Sequence, residues 1–295
     1  VHGENDGLPG LVVDRYNNVA VIRLDTVAWV PYLQVVVDAL EALVDPRSVV
    51  LRASRRIAEQ LSPLRDGSIL AGDDINHSVQ FLEQGFTFSA DVLRGQKTGH
   101  FLDQRDNRAL VAQRCNEARV LDVFSHTGGF SVYAAAGGAR SVTSVDVSPH
   151  AIEACRTHVE HNRRIFDFDA EHEAIVDDAF DAMADLRRNR RRFDVVIVDP
   201  PSFASNQRSV PAARQAYSRL TGLALDLLGT GGTLFQASCS SRIDEQDFHD
   251  TVAEVVDRGG WKAVDAVRTR HGLDHPIGFE HGAYLKALLA DVVPR

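Results

Sequence analysis

The 295-residue chain has no long apolar run: none approaches the ~20 residues of a bilayer-spanning helix, so no membrane partner is expected. Cysteine is scarce. Cys115, Cys155 and Cys239 lie far apart without metal-ligand spacing, and an odd, low count points to free thiols in a reducing, cytoplasmic setting with no metal centre. The start, Val1-His2-Gly3-Glu4-Asn5-Asp6, lacks the basic-then-apolar pattern of a signal peptide. Lysine is nearly absent: Lys97, Lys262 and Lys286 are the only three, and arginine carries the basic charge. The net charge of −9 has the wrong sign for a phosphate binder, but distribution matters more than the sum. Arg52, Arg55 and Arg56 form one cluster, and Arg187, Arg188, Arg190, Arg191 and Arg192 another. Each reads as a solvated face or, more sharply, as a patch for RNA phosphates.

At about 150 residues per domain, two domains are expected. Residues 1–94 read as a smaller α+β unit. Two apolar runs, 11–13 and 19–24, flank Asn17-Asn18 as a hairpin. Residues 33–44 have helical spacing and stop at Asp45-Pro46, 48–51 form a further strand, and 79–82 and 86–88 flank Gly85 as a second hairpin. Residues 95–295 alternate strands (120–123, 141–145, 174–176, 194–198, 233–237) with helices (129–136, 149–162, 179–186, 212–228, 245–257). This order implies a parallel sheet with right-handed crossovers, the last two strands, 263–267 and 284–289, forming an antiparallel edge pair.

Open α/β sheets bind ligands outside the carboxyl ends of their strands. Asp122, Asp146, Asp178 and Asp199 all fall at or just after such ends. The first of these strands runs into Asp122-Val123-Phe124-Ser125-His126-Thr127-Gly128-Gly129-Phe130, a turn without G-x-G-x-x-G and without a P-loop lysine. An acid there repels a pyrophosphate and suits a cation. S-adenosyl-L-methionine carries a sulfonium and an ammonium and no phosphate. Asp146 stands where a carboxylate accepts from ribose hydroxyls, and Asp178 could accept from the adenine amine. A lone acid at a strand end is more often a helix cap, but four in order favour a cofactor site. Phe124, Ser125, Thr127, Gly128 and Asp177 join the candidate set.

Asp199-Pro200-Pro201-Ser202-Phe203 follows the fourth strand, its two prolines stiffening a loop able to hold a planar base. The fifth runs into Ser238-Cys239-Ser240, which puts Cys239 on the rim that carries Asp199. Carbon-5 of a pyrimidine is a poor nucleophile, and thiolate addition at carbon-6 makes it enamine-like. Asp199 is the candidate acid at ring nitrogen-3. His158 and His161 are spaced i, i+3 without an evident third ligand and read as packing or surface residues, and His271, His275 and His281 cluster near the end.

At these residues the chain resembles the RlmI-like family of large-subunit ribosomal RNA 5-methylcytosine methyltransferases. The resemblance runs from Asp6-Gly7-Leu8-Pro9-Gly10-Leu11-Val12-Val13-Asp14-Arg15-Tyr16 through Gly95-Gln96-Lys97-Thr98-Gly99-His100-Phe101-Leu102-Asp103-Gln104-Arg105-Asp106-Asn107-Arg108 to Asp274-His275-Pro276 and Tyr284-Leu285-Lys286. It implies a Rossmann-like class I methyltransferase domain with a seven-stranded sheet, preceded by a smaller α+β middle domain. It also implies S-adenosyl-L-methionine as cofactor, RNA of the large ribosomal subunit as partner, and Cys239 as nucleophile. The stretch over the cofactor makes Asp103 and Arg105 expected contacts. The family often adds an N-terminal RNA-binding PUA domain, which this chain is expected to lack, whether or not by trimming; a homodimer is compatible. Ser218 and Thr221 stand where the family commonly has Lys and Asn, Ser202 where it has Lys, and His126 where it has Tyr. Three readings stay open: an RNA cytosine-5 methyltransferase, a methyltransferase for another rRNA base or a small molecule, and a cofactor-binding assembly factor without turnover.

Overall fold

The computed structural model describes residues 1–75, 78–204, 206–279 and 282–295; His281 lies outside them. By contact density the chain forms two units: residues 1–103 with 273–282, and residues 104–272 with 283–295.

In the first unit, β1 (Leu11–Tyr16) and β2 (Val19–Leu24) form the expected hairpin, with Asn17 at φ 54° in its turn. Helix α1 (Leu33–Val44) ends at Asp45, and the chain returns as β3 (Ser48–Ala53), parallel to β2. β4 (Ser68–Gly72), which has no clear alternation in sequence, completes a sheet in the order β1-β2-β3-β4. The helical stretch Val27–Val44 does have the length and apolarity of a membrane span, but it is a 3-10 helix containing Pro31 followed by α1, which buries Leu33 and Val37. β5 (Val79–Glu83) and β6 (Phe86–Ala90) pair around Gln84 and Gly85, both at positive φ.

The stretch 95–103 is fastened within this unit. Tyr16 is buried, its hydroxyl 2.8 Å from Thr98 Oγ1, and Thr98 donates to Asp14 at 2.5 Å. The His100 ring packs on Phe81 and Phe88. Arg52 is neither a solvated face nor a phosphate patch: it is 7% exposed and donates to Asp66 Oδ1 (2.9 Å), Gly95 O (2.9 Å) and Val92 O (3.3 Å).

The second unit opens with α2 (Arg105–Ala112), absent from the sequence reading, then alternates β7 (Arg119–Val123), α3 (Gly129–Ala136), β8 (Ser141–Asp146), α4 (Pro149–Phe166), β9 (Glu171–Val176), α5 (Ala179–Arg188) and β10 (Phe193–Val198). There follow α6 (Val210–Leu227), β11 (Leu228–Ser238), α7 (Glu245–Arg258), β12 (Trp261–Thr269) and β13 (Lys286–Pro294). Among the described residues the sheet has seven strands in the order β12-β13-β11-β10-β7-β8-β9. The two last strands pair antiparallel as expected, but only β12 is an edge, because β13 inserts between β11 and β12. Central β10 and β7 are buried on both faces, as their unbroken apolar runs require, whereas edge strand β9 is half exposed. The arginine cluster at the end of α5 is largely paired: Arg187 with Asp226, Arg188 with Asp185, and Arg191 with Glu173.

Because Arg52 is held by three acceptors, Arg52→Leu strands Asp66 and two carbonyls. It should destabilise the first unit by about 3 kcal/mol, read as faster amide exchange across residues 48–53 and 92–95. Exchange unchanged in both segments would show that the guanidinium is dispensable.

Candidate active site

From β7 the chain winds outward through β8 and β9, then crosses back to β10 on the other side. The strand order therefore switches between β7 and β10, where open sheets offer a crevice at the carboxyl ends.

The turn after β7 is strained. Phe124 (φ 64°) and His126 (φ 48°) both sit in the left-handed region, at about 1–3 kcal/mol each. Neighbouring groups over-determine this shape. Asp146 accepts from His126 N and, through its other oxygen, from Ser148 N, both at 2.9 Å. Buried His158 donates from Nδ1 to Thr127 O at 2.8 Å, a packing role; burial lowers its pKa. A Cβ on Gly128 (φ 81°) would lie 2.5 Å from Cys155 Sγ, so only glycine fits.

Asp122 lies fully buried at the end of β7, accepting from Ser131 Oγ at 2.6 Å, which in turn is 2.7 Å from Ser144 Oγ. Burial first, then the nearby charges of Asp199 and Asp146, push its carboxyl up to about 7 against the lowering effect of Ser131. Its Oδ1, Ser125 Oγ and Thr127 Oγ1 are buried without a hydrogen-bond partner among the described residues. Orphaned acceptors and hydroxyls beside mutually repelling carboxylates fit a cationic ligand that brings donors and no phosphate. Exposed Val147 adds an apolar flank beside Asp146.

Asp177 N donates to Asp146 O, tying the β9 rim to β8. Asp178 is the N-cap of α5, with Oδ1 accepting from Phe180 N (2.9 Å) and Asp181 N (3.4 Å), which leaves its second oxygen for a ligand. Asp199 accepts from Gln104 Nε2 at 2.8 Å, and Gln104 Oε1 accepts from Asn107 at 2.6 Å. Buried Gln104 and Asn107 carry no site signal of their own in the sequence, although both lie in the 95–108 stretch. Arg105, at the start of α2, pairs with Asp106 at 3.1 Å. Asp103 belongs to the first unit, where it is buried and accepts from Lys97 Nζ at 2.6 Å.

A line of aromatic rings sets the Asp-Pro-Pro loop: Phe124 on Phe203 (6.4 Å), Phe203 on Tyr217 (5.2 Å), Tyr217 on Phe248 (5.5 Å). The Tyr217 hydroxyl is 2.8 Å from Ser238 Oγ, one residue before Cys239. Cys239 is half-buried and directs its thiol at Pro200 O, 3.7 Å away. The other two thiols are buried and pushed up to about 12 by that burial. Lys286, which sequence reasoning does not single out as a site residue, is buried in register with Ser238 and donates to Ser240 O, the residues on either side of Cys239. Thr221 is buried in the body of α6, its hydroxyl 2.8 Å from both Tyr217 O and Gln236 Oε1, and Ser218 lines a surface groove with Arg214 and Asp247.

A family model described as S-adenosylmethionine-dependent methyltransferase matches residues 7–258. This chain belongs to that family. A ribosomal RNA large subunit methyltransferase of Deinococcus radiodurans is 40% identical over 98% of this methyltransferase and 70% of the relative. Ribosomal RNA large subunit methyltransferase I of Pseudoalteromonas translucida is 34% identical over 98% of this chain and 73% of that one. Among solved structures, a methyltransferase complexed with SAH superposes with TM-score 0.82, 23% identical and covering 99% of this chain and 74% of that one, which supports the fold. The methyl donor of the family is S-adenosylmethionine.

An acid whose folded pKa lies above its unfolded value stabilises the protein below the unfolded pKa, and that contribution is lost as pH rises through the folded one. The free methyltransferase therefore loses the Asp122 contribution between about pH 4 and pH 7, while a cationic ligand favours the carboxylate. S-adenosylmethionine affinity should rise across pH 5.5–8, and Asp122→Asn should weaken it about tenfold at pH 8 and flatten the profile, measured by calorimetry. A pH-independent affinity in the unsubstituted protein would contradict this.

Proposed function

We propose that this methyltransferase forms 5-methylcytosine in large-subunit ribosomal RNA, in the cytoplasm, through a covalent adduct on Cys239. The observation that carries the proposal is the half-buried Cys239 thiol, 3.7 Å from the Pro200 carbonyl of the Asp-Pro-Pro loop. The names of the relatives support ribosomal RNA as substrate. On this reading residues 1–94 are the RNA-binding middle domain, and residues 95–295 carry the chemistry.

Bound S-adenosylmethionine supplies an electrophilic methyl group on a sulfonium. Asp122, Asp146, Asp177, Asp178, Ser125 and Thr127, with Phe124 and Gly128 shaping the turn, would hold it in the crevice, and Arg105 belongs to the same set. The Cys239 thiolate adds to carbon-6 of the cytosine while Asp199, one oxygen fixed by Gln104, protonates ring nitrogen-3. Carbon-5 of the adduct would then carry the electron pair that can displace S-adenosylhomocysteine from the sulfonium methyl, the C–CH3 bond forming as the S–CH3 bond breaks. Loss of the carbon-5 proton to solvent restores the 5,6 double bond, expels the Cys239 thiolate and returns the nitrogen-3 proton to Asp199. The stiff Pro200-Pro201 segment and the Phe203 ring keep the base in plane during this sequence.

RNA containing 5-fluorocytosine should form a covalent adduct with the protein, because fluorine blocks proton loss. Cys239→Ala should abolish the adduct and lower methyl transfer by at least about 10³-fold, the scale lost when a covalent nucleophile is removed. Methyl transfer that survives Cys239→Ala would favour another base or a small molecule as acceptor. Cofactor binding without transfer to any RNA would favour a non-catalytic assembly role. Either result overturns the proposal.

A further inference from the structure

Lys286 is the first residue of β13 and one of only three lysines in the chain, yet it is 2% exposed. Lysine is almost never buried without a partner, because removing an ammonium from water costs several kcal/mol. Here Nζ donates to Ser240 O at 2.5 Å and to Ile243 O at 2.6 Å. These two carbonyls sit at either end of the turn that follows β11, in which Ile243 N also donates to Ser240 O at 3.3 Å. The turn begins one residue after Cys239. Its other anchor is Ser240 Oγ, which donates to Ala204 O in the Asp-Pro-Pro loop at 3.3 Å.

Two neutral carbonyls orient an ammonium but do not neutralise it. The anionic groups that act on Lys286 are Cys239, Asp244 and Glu245, in that order of strength, against the larger effect of burial, which lowers the lysine to about 8. Asp244 is already committed as the N-cap of α7, accepting from Gln246 N, and Glu245 is paired with Arg270. Cys239 comes first in that order, it directly precedes the turn whose carbonyls Nζ holds, and Lys286 itself pairs in register with Ser238.

We propose that Lys286 is a positioning residue for Cys239, its buried ammonium clamping the turn beside the thiol and supplying the positive charge that favours the thiolate. This rests on the reading of Cys239 as nucleophile. A lysine placed only to fill the sheet would be served as well by methionine, which matches its length and lacks its charge. The interaction is mutual: a charge on Cys239 that holds the proton on Lys286 must, to the same extent, be held by it.

The test uses the free protein and iodoacetamide, whose iodide the thiolate displaces, with the rate at Cys239 followed across pH by mass spectrometry. Lys286→Met should move the midpoint of alkylation to higher pH and slow it about tenfold at pH 7.5, while Lys286→Arg retains most of the rate. An unmoved midpoint in a Lys286→Met variant that still binds S-adenosylmethionine would overturn the proposal. If that variant fails to fold, carbon-13 labelling of the lysine side chains gives the same answer, since only three signals need assignment. The Lys286 signal should titrate at lower pH in Cys239→Ala than in the parent, and identical titrations would overturn the proposal. Failure of the nucleophile reading looks different: the 5-fluorocytosine adduct is then missing while the alkylation midpoint still moves with Lys286.

Discussion

Three carboxylates stand at the ends of three adjacent strands, Asp199 after β10, Asp122 on β7 and Asp146 on β8, and the charges of the outer two act on the fully buried Asp122 between them. Such an arrangement is unfavourable by itself, and most of the local structure responds to it. Asp146 is offset by two backbone N–H groups, Asp199 by the Gln104 amide, and Asp122 by Ser131 and by its raised proton affinity. What those bonds leave uncompensated is negative charge and orphaned acceptors, which a sulfonium and an ammonium offset and a pyrophosphate would aggravate. The family to which the chain belongs uses a cation of that kind.

The same constraint explains the strain nearby. Phe124 and His126 hold left-handed conformations because the turn must bend back over Asp122 while presenting its N–H to Asp146. The fixed turn also seats Phe124 against Phe203, and through Tyr217 and Ser238 the line of rings reaches the residue before Cys239. The turn after β7 and the rim that carries Cys239 are thereby one packed assembly within the second unit, so geometry on one side constrains the other.

Much of this was legible in the sequence. Unbroken apolar runs such as Asp194-Val195-Val196-Ile197-Val198 find only one place in an α/β sheet, its centre, and the acids that follow them land on one rim. Helix stops at Asp45-Pro46 and hairpins at Asn17-Asn18 and Gly85 are written in turn chemistry, which is local. What escaped was non-local. The insertion of β13 between β11 and β12 depends on pairing between distant segments, from Gly232 with Val292 to Ser238 with Lys286. The short β4 is set by its partner β3 rather than by its own alternation. Arg52 read as surface charge and is buried, since three acceptors from distant segments meet it. Lys286 and Gln104 were visible as letters in quoted stretches, but their partners, Ser240 and Asp199, are known only once the strands are aligned. Asp178 shows the opposite case, an acid whose local cap geometry coexists with its place on the rim.

If charge complementarity governs the β7–β10 switch point, the methyl donor should bind there, at the rim that carries Cys239. A crystal structure of this protein with S-adenosylhomocysteine tests it most directly. The ligand's amino group should lie among Asp122, Ser125 and Thr127, its ribose on Asp146, and its sulfur turned toward Cys239. A ligand seated on the far side of the sheet, or with its sulfur turned away from the Cys239 thiol, would contradict it.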